Sequence, residues 1–166
     1  MKIKLVKTKN PRRVPKTLRK KSREVKEISP DILGLINEMR DIMQKNKGVG
    51  ISAIQVGVPL RIMVVESCQE NFVLINPEII KLGKEKIPFR EGCLSFPGCY
   101  SQILRPEKVK LKAKNLEWKD IEIEADGLIG RCFQHEIDHM NGIVFIDHLK
   151  DLRDLEKEPE KKRKNE

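Results

Sequence analysis

The segment His135-Glu136-Ile137-Asp138-His139 constrains this chain more than any other stretch. It holds two of the three histidines and lies between a helix start at Asp126, a plausible N-cap, and a natural stop at Asn141-Gly142. On a helix, residues i and i+4 sit one above the other on the same face, so both imidazoles can reach one divalent ion. A metal lowers the pKa of a bound water towards neutrality, and the carboxylate of Glu136 can accept the released proton. The ordinary alternative is two surface histidines on an amphipathic helix. A five-residue pattern framed by helix start and stop signals argues against it.

Catalytic sites of this type have three protein ligands and an open position. An extended zinc-protease pattern would need a histidine where Phe145 stands, so that class fails. His148 lies past Gly142 and reads as a surface residue of the next element. The third ligand is therefore sought among the thiols. Cys132 is one turn before His135. Cys93 lies in residues 90–95, where Gly92 allows close backbone approach. Taken singly, Cys93 would more often be a small buried apolar residue, the reading given to Cys68 and Cys99. Leu128, Cys132, His135 and His139 form one stripe, apolar at its start and ligating at its end. The stripe predicts a hydrophobic pocket beside the metal and a substrate with an unbranched apolar side chain next to the cleaved bond. Core packing of Leu128 and Cys132 is the plainer explanation of the same stripe.

The rest of the chain sets the frame for this helix. Ser29 as N-cap and Pro30 at the first helical position begin another helix. Ile32, Ile36, Met39 and Met43 carry it towards Lys47-Gly48. Strands are predicted at residues 60–66, 72–76, 78–82, 109–113 and 121–125, with an alternation at 2–6 that also reads as a strand. The tail from Asp147 starts helical, and the charged run after Pro159 reads as disordered. The expected fold is α+β. Short mixed strands pack around a central metal-binding helix, with one helix towards the N-terminus and one at the C-terminus. Residues 1–28 form a basic lead-in, 29–150 a catalytic domain and 151–166 a charged tail, one domain overall.

Hydrophobic residues make up 39% of the 166 but aromatics only 4%, so aliphatic side chains must fill the core. No run approaches the roughly 20 apolar residues that cross a bilayer, and no secretion signal is seen, so a soluble chain with free thiols is expected. The first 23 residues carry eleven Lys or Arg and no Asp or Glu, which accounts for the whole formal charge of +9. Such a patch attracts polyanions. It can equally be a solvated edge, or an organelle transit segment; against the latter it is rich in Lys and poor in Ser.

Three segments together resemble one family. Gly48-Val49-Gly50-Ile51-Ser52-Ala53-Ile54-Gln55, Glu91-Gly92-Cys93-Leu94-Ser95 and Gln134-His135-Glu136-Ile137-Asp138-His139-Met140-Asn141-Gly142 match, in order, the motifs of the peptide deformylases across about residues 30–150. Ser52 and Met140 depart from the usual Ala and Leu, and Tyr100 and Arg131 occupy positions that vary among subtypes. The resemblance implies removal of the formyl group from N-formylmethionine on nascent proteins in a bacterial cytoplasm. It implies Fe²⁺ held by Cys93, His135 and His139, with Zn²⁺, Ni²⁺ or Co²⁺ able to replace it. Glu136 would be the proton acceptor, and the Gln55 amide and the Leu94 backbone N–H would stabilise the oxyanion. The Gly50 carbonyl would pair with the substrate backbone. Val49, Leu128 and Cys132 are candidates for the methionine pocket. Gln134 and Asp138 are candidates for orienting the histidines. Formylated nascent peptides are the expected partners, with ribosome contact through the basic N-terminus or the tail and no membrane. Two rivals remain: a metallopeptidase cleaving internal bonds, which leaves two of the segments idle, and a non-catalytic RNA- or ribosome-binding module.

Overall fold

The computed structural model describes residues 3–158, so the charged run from Pro159 onwards lies outside it. Helix α1 spans Pro30–Lys45. The Ser29 hydroxyl accepts the Ile32 N–H at 3.3 Å and Pro30 opens the first turn, as expected. Its buried face is Ile36, Met39 and Met43. The helix stops at Asn46, whose side-chain amide donates back to the Ile42 carbonyl at 2.7 Å.

In chain order the strands are β1 (Gly50–Ser52), β2 (Ile62–Glu66), β3 (Asn71–Leu82), β4 (Lys86–Cys93), β5 (Phe96–Pro106), β6 (Val109–Lys114), β7 (Asp120–Ala125) and β8 (Glu156–Lys157). Five form one antiparallel sheet in the order β1-β2-β3-β6-β7, and the other three form a second in the order β4-β5-β8. Helix α2 spans Gly127–Met140. Its N-cap is Asp126, but the Asp126 side chain makes no capping bond; the Gly127 N–H donates to Glu107 Oε1 at 3.3 Å instead.

The first sheet lies between the two helices. Along β2, Ile62 and Val64 face the cluster containing Met39 and Met43 of α1. Met63 and Val65 alternate to the other side, against Phe133, Ile137 and Met140 of α2. Burial on both faces explains why β2 is a continuous apolar run rather than an alternating one. A third cluster joins Leu18 to Phe96 and Ile103 of β5 and to Val144, Phe145 and Ile146 beyond α2.

Several expectations are corrected. Residues 72–76 and 78–82 are one strand, because Asn76 turns through φ +52° and a register shift absorbs Pro77. The Asn76 side chain then clamps the lead-in, accepting the Val25 N–H at 2.8 Å and donating to the Val25 carbonyl at 2.9 Å. The alternation at residues 2–6 is not a strand over its described part; the Val6 N–H makes a single backbone bond to Gln55. The C-terminal helix takes the form of two 3-10 turns, Phe145–His148 and Leu152–Asp154. The β4–β5 hairpin was not foreseen.

Candidate metal centre

Two elements build the centre. Helix α2 presents His135 and His139 with ring centroids 4.9 Å apart. The β4–β5 hairpin delivers Cys93 at the end of β4, and its Sγ lies 3.2 Å from His139 Nε2. One ligating atom from each of the three residues falls within 4.8 Å of the others, and among the described residues this is the one such cluster. Cys132, the other thiol weighed for the third position, is not part of it. Its sulfur lies against the Gly50 backbone of β1.

Glycine at position 50 is a steric requirement. A Cβ there would overlap Cys132 Sγ and come to 3.0 Å from Glu136 Oε1. The Gly48–Gln55 segment then turns into the 3-10 turn Ala53–Val56 through a capping box between Ser52 and Gln55. The Ser52 N–H and hydroxyl both donate to Gln55 Oε1, at 2.9 and 3.1 Å. That leaves the Gln55 Nε2 group directed at Cys93 Sγ, 3.6 Å away, and at Ser95 Oγ, 3.3 Å away. The departure from the family's Ala at position 52 thus supplies a second hold on Gln55. Leu94 follows Cys93 in the hairpin turn, and its side chain closes over Gly48, where a Cβ would meet it at 2.7 Å.

The charges around the ligands were partly missed. Gln134 and Asp138 were expected to orient the histidines. Gln134 instead donates to the carbonyls of Pro106 and Gly130, at 2.9 and 3.1 Å. Asp138 turns to Arg105 at 2.7 Å and His148 at 2.8 Å. The partner of His135 is Glu91, whose Oε2 lies 3.2 Å from His135 Nδ1. Glu91 is buried at 6% exposure and is itself clamped by Arg105, with bonds of 2.6 and 3.1 Å. The signal for this pair was present: Cys99, Ser101, Ile103 and Arg105 alternate inwards along β5, placing a cation where a core residue belongs. Cys99 is buried as expected, whereas Cys68 is exposed, a correction. His148 is exposed, in agreement with the sequence.

Burial and neighbouring charges shift the ionisation of these groups. Burial opposes charge on Glu91, but His135 and Arg105 win and hold its carboxyl down, from 4.5 to about 2. Burial would also lower His135, yet Cys93 and Glu91 keep it well above the ordinary imidazole value. His139 is pushed well below that value by burial and by its charged neighbours His135 and Arg105. Burial raises Glu136, against the opposing pull of His135 and Ser52, which suits a carboxylate that must take up a proton.

A groove of about 940 Å³ is lined by Gly48, Val49, Phe72, Ile123, Leu128 and Ile129 together with polar residues of the 66–71 segment. Val49 and Leu128 both line it, with Leu128 at 47% exposure. Cys132 is not among the residues lining the groove.

A helix presenting two histidines and a buried carboxylate, joined by a distant cysteine sulfur, is the donor set of a metal-dependent hydrolase. The comparisons give the particular family. The family model for polypeptide deformylase matches residues 4–155. A peptide deformylase of Desulforudis audaxviator is 46% identical over 131 residues, covering 78% of this chain and 85% of that protein. A chloroplastic peptide deformylase 1B of rice is 38% identical over 157 residues, covering 86% of this chain and 58% of that protein. The peptide deformylase structure from Legionella pneumophila superposes with a TM-score of 0.83 at 40% identity, covering 91% and 88% of the two chains. One from Synechococcus elongatus, in complex with actinonin, gives 0.84 at 32%, covering 92% and 81%. The chain belongs to the polypeptide deformylase family. It is a hydrolase that removes the formyl group from nascent peptides.

Proposed function

We propose that Cys93, His135 and His139 hold one Fe²⁺, and that the enzyme uses it on the N-terminal formylmethionine of nascent chains, releasing formate. Zn²⁺, Ni²⁺ or Co²⁺ would replace it, because one thiolate and two imidazoles suit soft-to-borderline ions. The observation that carries this reading is the cluster of three ligating atoms beside a buried carboxylate oxygen, Glu136 Oε2, that has no partner among the described residues. When bound, the ion supplies a Lewis acid that polarises the formyl carbonyl and brings the pKa of water towards neutrality.

The chain's own residues do the rest. Glu136 accepts the proton of the attacking water and hands it to the departing amine nitrogen. Gln55 Nε2, aimed by Ser52, and the Leu94 backbone N–H donate to the oxyanion that forms on the formyl carbon. β1 is the edge strand of its sheet, so the substrate backbone can add beside Gly50 in strand fashion. Val49 and Leu128 receive the methionine side chain, with Cys132 behind them.

Formate release from formyl-Met-Ala, with an unformylated peptide as control, tests the reading. Glu136→Ala is expected to retain the metal while activity falls about 10²–10⁴-fold. Normal turnover in that variant would remove Glu136 from its role, and cleavage of an internal bond would restore the peptidase alternative.

The lead-in supports a second element of function, contact with the ribosome. Arg12, Arg13, Lys16, Lys20 and Lys21 are all exposed. The lead-in is stitched to the domain by Val6, Thr8 and Ser22 backbone bonds, so charge substitution rather than deletion is the sound test. Changing those five residues to Gln should abolish salt-dependent co-sedimentation with ribosomes, and unchanged sedimentation would dismiss the patch. The setting proposed is a bacterial cytoplasm. No helix among the described residues is long and apolar enough to cross a membrane.

A further inference from the structure

The three ligating side chains come from two elements, and Cys93 is 46 residues from His139 along the chain. Something must fix the hairpin against the helix, or the thiolate would not meet the imidazoles. We propose that Arg131 is the positioning residue that does so, an inference that rests on Cys93, His135 and His139 being the ligands. Arg131 sits on α2, one turn before His135, and is buried at 6% exposure. Its guanidinium reaches both strands of the hairpin at once. Nη2 donates to the Ile87 carbonyl of β4 at 2.7 Å, and Nη1 donates to the Ile103 carbonyl of β5 at 3.0 Å. Nη1 also reaches Glu91 Oε1 at 3.1 Å, the carboxylate that holds the His135 ring. The Phe89 ring covers the guanidinium, with its centroid 5.1 Å from Cζ.

One side chain thus ties the helix with two ligands to the strand with the third and to the partner of a ligand. Only the planar fork of arginine spans these acceptors; a lysine ammonium is a point donor on a flexible stem and would satisfy one at a time. The bonds are buried and charge-assisted, so they are strong, and breaking them leaves desolvated carbonyls behind. Arg105 makes a complementary tie from β5 to Asp138 of α2 and to the Glu91 carboxylate of β4, but it meets α2 at the far side of His135, whereas Arg131 holds the main-chain carbonyls of both strands. Without Arg131 the hairpin keeps its own ladder and the Arg105 and Glu91 ties, but its main chain is no longer pinned to α2.

The test uses the full chain loaded with Co²⁺, whose thiolate charge-transfer band reports Cys93 ligation directly. The parent, Arg131→Met and Arg131→Lys are compared with Arg61→Met. Arg61 is another arginine tied to α2, bonding Asn141 Oδ1 at 3.0 Å and the Pro77 carbonyl at 2.6 Å, away from the ligands. Both Arg131 variants should lose Co²⁺ to a chelator about 10–100-fold faster than the parent, with a weakened or shifted thiolate band, the range seen for groups that orient metal ligands. Arg61→Met should lower the melting temperature and leave band and rate at parental values. Should Arg131→Met fail to fold, Arg131→Lys carries the same readout. Parental spectra and rates in the folded Arg131 variants, or losses no greater than in Arg61→Met, would overturn the proposal and leave the ligand assignment standing. Absence of a thiolate band in the parent would overturn both.

Discussion

Helix α2 and the β4–β5 hairpin meet at one centre but reach it by different physics. The helix brings His135 and His139 together through its own repeat, so their spacing is guaranteed wherever the helix forms. The hairpin brings Cys93 from far along the chain, and its placement depends on buried charges: Glu91, Arg105 and Arg131. Local geometry is cheap and legible, whereas tertiary geometry has to be held. A centre made from both inherits the fragility of the second.

Substitutions can break or sharpen that contrast, the most damaging first. Cys93→Ala removes the hairpin's ligand, and the purified protein should contain no stoichiometric metal by elemental analysis; a full complement of metal would mean that another thiol serves. Phe133→Ala attacks the helix side, since Phe133 is fully buried against the first sheet and edge-on to Phe72 at 5.2 Å. It should cost about 3–5 kcal/mol in denaturant melts. The two histidines should nevertheless stay paired in whatever fraction remains folded, as metal content per folded chain would report.

Glu91→Gln tests the seam itself. It keeps the shape, discards the charge, and should weaken metal affinity about 10–100-fold in a chelator competition. The pH dependence of stability should change with it. Glu91 is held at about 2 in the folded chain, so below 4.5 the unfolded chain takes up protons that the folded one refuses. This contribution is present above 4.5 and is lost as pH falls towards 2. Acid melts of Glu91→Gln should lack that component, and identical slopes in both proteins would show that the carboxyl is not held down. The smallest effect belongs to Asn76→Ala, which unclips the lead-in at Val25. About 1–2 kcal/mol of stability should go, with metal binding untouched.

The same contrast explains what could be read in advance. The Ser29-Pro30 start and the apolar spacing of α1, and the ends of α2, are local signals written within a turn or two. The family motifs located Cys93, but nothing near it announced a strand. Pro88, Arg90 and Glu91 in β4 and Pro97-Gly98 in β5 look like loop chemistry. They become strand residues because the hairpin pairs along eight registers and because its inward charges find partners on other elements. Asp138 was assigned to the histidines on sequence proximity. It faces Arg105 instead, a residue that neighbouring positions could not have revealed. Val49 and Leu128 line one groove. The contact of Cys132 Sγ with Gly50 lies between elements, so the stripe along α2 could not contain it.

The first sheet ends at β1, a strand of three residues, Gly50–Ser52. Under the proposed strand-fashion docking, a guest chain aligned along so short a border would be gripped through its main chain over only about as many positions. With the substrate docked as proposed, selection would fall on the opening residues of each client and not on its overall fold.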